Sequence, residues 1–132
     1  MRNSKKKILV VDDDDLHLYT TKELLQDEHW EVMTYKSNNG IGVTTFVKDT
    51  QPDIILLDVN MPGLSGDQLA KLLRWRNAPF IFYSSNDEES LRESASKYGA
   101  RGYICKGEIA ELKNKVKHYL ETGTIESLEI II

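Results

Sequence analysis

Four short apolar runs of this sequence each end on a side chain that could take part in chemistry. Asp12 and Asp13 follow ILVV, Asp58 follows IILL, Ser84 follows FIFY, and Lys106 follows YIC. Carboxylates that lie close together repel one another unless their pKa values rise or a cation binds them. Because no cysteine–histidine cluster accompanies these oxygen ligands, they favour a hard cation, Mg²⁺ first.

A lysine and a hydroxyl beside such a metal would suit a phosphoryl group. The metal, the ammonium and the hydroxyl can share the negative charge of the phosphoryl oxygens. A carboxylate can also be the nucleophile that accepts the phosphate. If the four runs end at one place in the fold, these residues therefore indicate phosphoryl chemistry there.

Each of these residues also has a simpler interpretation. The acidic run 12–15 is typical of a solvated turn followed by a helix cap. Ser84 and Ser85 suit the cap of the next helix, and a single lysine such as Lys106 is usually exposed. The coincidence of polar residues at four run ends favours the site over any one of these alternatives.

The pattern between these residues predicts five strands and five helices in strict alternation. The predicted strands are β1 over residues 7–11, β2 over 31–35, β3 over 53–58, β4 over 79–84 and β5 over 101–106. The predicted helices are α1 over residues 16–28, α2 around 43–47, α3 over 65–75, α4 over 88–98 and α5 over 109–121. Alternation indicates a mostly parallel sheet with helices on both faces. Ligands of such sheets bind outside the carboxyl ends of the strands, where the polar residues stand.

Three local predictions concern the elements that position the acids. Asp14 or Asp15 stands where the N-cap of α1 is expected. The unalternating apolar run of β3 predicts a central strand that is buried on both faces. The apolar residues of α1 are predicted to share one inward face: Leu16, Tyr19, Leu24 and Leu25.

Composition limits the class of protein. The 132 residues, 40% hydrophobic and 29% charged, are typical of one globular domain. Cys105 is the only cysteine, which excludes an internal disulfide and fits a reducing compartment. A net charge of -4 and one short basic run, at residues 5–7, argue against direct nucleic-acid binding. Because no apolar run approaches a membrane span or a signal-peptide core, we expect a cytoplasmic protein without membrane insertion.

Over residues 5–122 the chain resembles a response regulator receiver domain of two-component signalling. The resemblance rests on ILVVDDD, on PDIILLDVNMPGLSG, on YS followed twenty-one residues later by K, and on YGARGYICK. It implies a flavodoxin-like, doubly wound five-stranded sheet of order 2-1-3-4-5. It divides the chain into a receiver domain over residues 1–122 and a tail over 123–132.

The resemblance also implies a role for each site residue. Asp58 would accept the phosphoryl group, and Ser84 and Lys106 would contact it. Tyr103 would be the switch aromatic that turns inward when Ser84 moves toward the phosphate. The implied ligands of Mg²⁺ are the carboxylates of Asp13 and Asp58, Asp12 mainly through water, and the backbone carbonyl of Asn60.

The implied partners follow from that chemistry. A histidine kinase or a phosphotransfer protein would donate the phosphoryl group, and the surface of α4, β5 and α5 would bind a downstream protein or a fused output domain. Such a module assists only its own phosphorylation and dephosphorylation and is otherwise no enzyme. Gly107 replaces the proline that usually follows the lysine, so a cis peptide bond is not expected there.

Two alternative functions and three interpretations of the tail stay open. The chain could be a degenerate receiver that only binds a partner, an alternative that Gly107 keeps open. It could also be an aspartyl-nucleophile phosphatase of the haloacid dehalogenase type, although Asn60 stands where those enzymes carry a second acid. The tail is interpreted as a linker, as a segment that packs back on the domain, or as a β-prone segment that pairs with a second copy to form a homodimer.

Overall fold

Strands and helices alternate along the chain, as the sequence predicts. The computed structural model describes residues 5–36, 42–59, 68, 73, 78–107 and 109–123. The strands are β1 (Lys6–Asp12), β2 (Trp30–Lys36), β3 (Ile54–Leu57), β4 (Phe80–Ser84) and β5 (Tyr103–Cys105). The helices with described bounds are α1 (Asp15–Leu24), α2 (Val43–Thr50), α4 (Glu88–Tyr98) and α5 (Ile109–Thr122). The predicted α3 lies outside the described residues except for Gln68 and Leu73, which are helical, and the tail beyond residue 123 lies outside them entirely.

The five strands form one parallel sheet of order β2-β1-β3-β4-β5, which confirms the predicted topology. β1 lies between β2 and β3, pairing Ile8 with Val32 on one side and with Ile54 on the other. Since every strand runs in the same direction, the carboxyl ends of all five lie along one edge. The order changes direction between β1 and β3, so the acids that follow these strands stand at the switch point, where ligands of such sheets bind.

The central strand β3 is buried on both faces, as its unbroken apolar run predicts. All four of its residues have an exposed fraction of 0%. Ile55 and Leu57 pack into a cluster on one face of the sheet, whereas Ile54 and Leu56 pack into a second cluster on the other face. Packing on both sides therefore fixes the strand that leads directly into Asp58.

The inward face of α1 differs from the predicted one. Leu18, Thr21 and Leu25 are buried, whereas Leu16 and Tyr19 are 68% and 66% exposed. The buried residues are three and four positions apart and therefore form one stripe of the helix. A residue two positions away, as Leu16 is from Leu18, faces the opposite side, so the prediction was wrong for Leu16 and Tyr19.

Helix α1 also ends four residues earlier than predicted, at Leu24. The carboxylate of Asp27 accepts a hydrogen bond from the backbone N–H of His29 at 2.9 Å, and the N–H of Trp30 donates to the carbonyl of Asp27 at 3.2 Å. Asp side chains that bind nearby backbone groups favour turns over helix. The turn at Asp27 therefore replaces the last predicted turn of α1 and leads into β2.

The remaining helix ends agree with the predicted stop signals. Helix α4 covers the predicted residues, and α5 runs one residue further than predicted. Gly99 and Gly123 adopt φ values of 77° and 81°, in the left-handed region that glycine enters without strain. Among the described residues, no helix has the length and apolar character needed to cross a bilayer.

The corrected face of α1 predicts stability losses of very different size for two leucines on one helix. Leu18→Ala should lower the free energy of unfolding by about 2–5 kcal/mol, because it empties a buried site. Leu16→Ala should change it by less than about 0.5 kcal/mol, because that side chain is mostly exposed. Urea denaturation of both variants measures the difference, and a larger loss in Leu16→Ala would contradict the described packing.

Candidate functional site

The structure brings the strand-end residues together at one edge of the sheet. Asp12 ends β1, Asp58 follows β3, Ser84 ends β4, and Lys106 follows β5. Carboxylate oxygens of Asp12, Asp13 and Asp58 all lie within 4.8 Å of one another. The backbone N–H of Asp58 donates to the carbonyl of Val11 at 3.3 Å, which continues the sheet pairing up to the acid itself.

Lys106 bridges two of these acids. Its Nζ donates to Asp12 Oδ2 at 2.7 Å and to Asp58 Oδ2 at 3.0 Å. The Lys106 side chain is only 12% exposed, so its interpretation as an ordinary surface lysine is wrong. Its backbone N–H donates to the carbonyl of Ser84 at 2.8 Å, which anchors the residue at the end of the sheet.

Ser84 binds the other oxygen of the same acid. Its side chain is fully buried, and its Oγ donates to Asp58 Oδ1 at 3.0 Å. The N-cap of α4 is Asp87, whose carboxylate accepts from the N–H of Ser90 at 2.9 Å. The capping interpretation is therefore wrong for Ser84 and Ser85.

The acidic run divides its four carboxylates among three tasks. Asp12 and Asp13 face the site, and Asp12 Oδ1 accepts from the N–H of Asp14 at 3.1 Å. Asp14 is the N-cap of α1, which confirms one of the two residues predicted for that position. Asp15 forms an ion pair with Lys36 at 3.0 Å. The simpler interpretation of a helix cap is thus right for Asp14, while the first two acids belong to the cluster.

Burial and charge act in opposite directions on the pKa values of this site. Burial raises the pKa of Asp12, the nearby charge of Asp58 adds to the rise, and the hydrogen bond and charge of Lys106 oppose it without cancelling it. Burial alone would lower the pKa of Lys106, but the hydrogen bonds and charges of Asp12 and Asp58 outweigh it and raise that pKa. Lys106 is therefore held as an ammonium, and ionised Asp12 is disfavoured.

The donor set fits a hard divalent cation. Three carboxylates lie close together, and one ammonium compensates only part of their charge. All the clustered donors are oxygens, which are the ligands that Mg²⁺ prefers. In proteins, Mg²⁺ is usually bound by a few carboxylates and several waters. Asp13 is only half-buried, so the cluster is open to solvent on its side. The fourth predicted ligand, Asn60, lies outside the described residues.

Tyr103 lies at the start of β5 and is half-buried. Its ring packs against the apolar cluster on the α2 and α4 face of the sheet. Its hydroxyl donates to Glu88 Oε2 at 3.1 Å, and Arg92 Nη2 donates to the same carboxylate oxygen at 3.3 Å. The predicted switch residue is thus linked to the first turn of α4.

Two features near Lys106 complete the site. No cis peptide bond occurs in the described part of the chain, which confirms that expectation for the Lys106–Gly107 step. The Nδ1 atom of His17 lies 3.2 Å from Lys106 Nζ. Sequence reasoning missed His17, although its position one helical turn after the acids could have drawn attention to it.

The raised pKa of Asp12 predicts how stability depends on pH without metal. Because folding raises this pKa, ionised Asp12 costs stability, and the cost develops as pH rises from the ordinary value of 3.8 through the folded value. In EDTA near neutral pH, Asp12→Asn should therefore be more stable than the wild type, by on the order of 1 kcal/mol. The gain should disappear as pH falls to about 3.8.

Urea denaturation across this pH range is the measurement. Asp15→Asn is the matched control, because it removes an acid whose side chain is 77% exposed, and it should give no such gain. A loss of stability in Asp12→Asn near neutral pH would contradict the electrostatic account of the site.

Comparison with known proteins places the chain in a family. The response regulator receiver domain family matches residues 8–117. The positive alginate biosynthesis regulatory protein of Pseudomonas aeruginosa is 37% identical over 102 residues, which cover 75% of this chain and 40% of that protein. Protein PilH of the same organism is 31% identical over 104 residues, which cover 76% of this chain and 84% of PilH. The chain thus spans less than half of the first relative and most of the second.

A solved structure agrees with the fold. A two-component response regulator of the LuxR family from Aurantimonas sp. SI85-9A1 superposes with a TM-score of 0.82, covering 97% of this chain and 94% of that chain. The identity of 22% means that this likeness supports the fold alone. The family match spans most of the chain, and the strand order agrees with it, so the chain belongs to the response regulator receiver domain family.

Proposed function

We propose that this receiver domain accepts a phosphoryl group on Asp58 from a phosphohistidine of a histidine kinase or phosphotransfer protein. One observation carries the proposal. Each oxygen of the Asp58 carboxylate has a hydrogen-bond donor, Ser84 Oγ at 3.0 Å and Lys106 Nζ at 3.0 Å. Two further carboxylates lie beside it. A purely structural acid would not need this arrangement.

The reaction uses Asp58 as the nucleophile. One carboxylate oxygen forms a bond to phosphorus while the bond from phosphorus to the imidazole nitrogen of the donor breaks, and the imidazole keeps that electron pair. Lys106 and Ser84 then donate to phosphoryl oxygens. The ammonium and the hydroxyl thereby stabilise charge that develops during transfer.

The acids that follow β1 and β3 would hold the metal. Asp13 and Asp58 would bind Mg²⁺ through their carboxylates, Asp12 mainly through water, and Asn60 through its backbone carbonyl. When bound, Mg²⁺ neutralises negative charge on phosphoryl oxygens. The close approach of the three carboxylates supports this assignment, because their charge exceeds that of Lys106.

Phosphorylation of Asp58 would change the positions of the Ser84 and Tyr103 side chains. The acyl phosphate carries about -1 to -1.5 more charge than the carboxylate, so it draws the Ser84 hydroxyl toward a phosphoryl oxygen. Tyr103 would then leave Glu88 and turn inward, which shifts a population between two states. The hydrogen bond from Tyr103 to Glu88 supports a coupling to α4, so the output surface would be that of α4, β5 and α5.

The proposal extends to the cellular role. The module would act in the cytoplasm as a signalling domain that assists only its own phosphorylation and dephosphorylation. Its output would be a downstream protein or a fused domain. Pairing of two copies through the tail to form a homodimer stays a prediction. The assembled set of Asp58, Ser84 and Lys106 weighs against a degenerate receiver that only binds a partner.

Metal binding predicts a change in stability. Mg²⁺ should raise the free energy of unfolding by mass action, by about 2.7 kcal/mol at one hundred times its dissociation constant. Thermal unfolding at increasing Mg²⁺ concentration measures this effect. Asp13→Asn should weaken the response strongly, whereas the control Asp15→Asn should keep it. A wild-type protein whose midpoint does not respond to Mg²⁺ would favour the degenerate receiver.

Phosphorylation predicts a covalent change at one residue. With acetyl phosphate and Mg²⁺, intact-mass spectrometry should show that the wild type gains one phosphoryl group. Asp58→Asn should gain none, because an amide oxygen is a poor nucleophile and cannot form the acyl phosphate. Asp15→Asn should react like the wild type. The assignment fails if Asp58→Asn forms the same adduct.

A further inference from the structure

The imidazole of His17 lies within hydrogen-bonding distance of the Lys106 ammonium. Its Nδ1 lies 3.2 Å from Lys106 Nζ. The same ammonium donates to Asp12 at 2.7 Å and to Asp58 at 3.0 Å. Since a lysine ammonium has three N–H donors and no acceptor, these three contacts can engage all of its N–H groups.

The chemistry of the two nitrogens assigns the direction of the third contact. The ammonium can only donate, so Nδ1 of His17 must accept, and the ring hydrogen must stand on Nε2. Carboxylate oxygens of Asp12 and Asp14 lie 3.8 and 4.0 Å from Nδ1, beyond hydrogen-bonding distance.

The surroundings of Lys106 explain why a third acceptor is needed. His17 and Lys106 share a pocket whose other walls are the side chains of Leu16, Thr20, Thr21, Leu24 and Tyr83. Much of this wall is aliphatic, and the centroid of the Tyr83 ring lies 5.7 Å from Lys106 Nζ as a cation–π contact, so the wall itself brings few oxygen or nitrogen acceptors to the ammonium. Asp14 holds His17 at this edge, because its carboxylate accepts from the backbone N–H of His17 at 3.3 Å in the first turn of α1.

We propose that His17 is a positioning residue for phosphoryl transfer: its neutral imidazole accepts the third hydrogen bond of Lys106 and holds the ammonium at Asp58. This role rests on the proposed phosphoacceptor function of Asp58. When Asp58 takes up the phosphoryl group, Lys106 exchanges a carboxylate oxygen for a phosphoryl oxygen. Asp12 and His17 keep the ammonium in place during that exchange.

Nitrogen-15 NMR of the histidine rings tests the contact without phosphorylation. In the wild type, His17 should carry its hydrogen on Nε2, and its Nδ1 should have the shift of a hydrogen-bonded acceptor. In Lys106→Met, the Nδ1 signal should move to that of an acceptor without a donor. A hydrogen on Nδ1 in the wild type, or an unchanged signal in Lys106→Met, would overturn the proposed contact.

Phosphorylation kinetics test the role. With acetyl phosphate and Mg²⁺, His17→Leu should slow adduct formation roughly threefold to tenfold, which corresponds to the loss of one hydrogen bond of ordinary strength. His17→Asn should stay within about twofold of the wild type, because its Oδ1 takes the place of Nδ1 as acceptor. His29→Leu is the matched control for loss of a histidine, since His29 is 79% exposed, and it should have no effect.

The outcomes separate the two proposals. Equal slowing in His17→Leu and His17→Asn, or no slowing in either, would overturn the positioning role while Asp58 phosphorylation stands. If the wild type forms no adduct at all, the proposed function fails and the positioning role fails with it. The NMR signature of Nδ1 then still decides whether His17 accepts from Lys106.

Discussion

One ammonium group facing three carboxylates is the constraint on which this site depends. Lys106 Nζ ties Asp12 at the end of β1 to Asp58 at the end of β3, across the switch point of the sheet. Burial raises the pKa of Asp12, the charge of Asp58 adds to the rise, and the single positive charge of Lys106 does not cancel it, so ionised Asp12 is disfavoured. The excess of negative charge over this one ammonium would favour a cation at the edge and, in the proposed function, a phosphoryl group with its metal. A stable apoprotein would need fewer acids here, whereas the proposed chemistry needs them all.

The scaffold gives this charged edge a rigid base. β3 is buried on both faces. Asp58 directly follows this strand, which cannot rotate about its axis without exposing apolar surface on one face or the other. β4 and β5 bring Ser84 and Lys106 to the same edge, and the backbone hydrogen bond from Lys106 to Ser84 joins their ends. Catalytic groups are most effective when packing and neighbouring hydrogen bonds fix them in this way. The acidic run contributes at two levels, since Asp12 joins the site while Asp14 caps the helix that presents His17.

The sequence predicted what depends on local pattern and strand direction. The parallel sheet and the gathering of polar strand ends follow from the alternation of strands and helices. The burial of β3 follows from its unbroken apolar run, and the strand order was implied by the resemblance to receiver domains. The inward face of α1 was not predictable from its leucines, because apolar residues stand on two sides of that helix and only packing against the sheet selects Leu18 over Leu16. The early end of α1 accompanies the turn at Asp27, whose carboxylate and carbonyl both accept backbone hydrogen bonds. His17 could not be recognised without the tertiary contact that brings it to Lys106 from 89 residues away.

The central claim is that Asp58 itself forms the acyl phosphate. The most direct measurement treats the protein with acetyl phosphate and Mg²⁺, reduces the adduct with borohydride, and maps the peptides by mass spectrometry. Reduction converts an aspartyl phosphate to homoserine, so the account predicts homoserine at position 58 and intact aspartate at positions 12 and 13. Homoserine at another position, or a phosphoryl group that resists reduction on a serine or histidine, would contradict it.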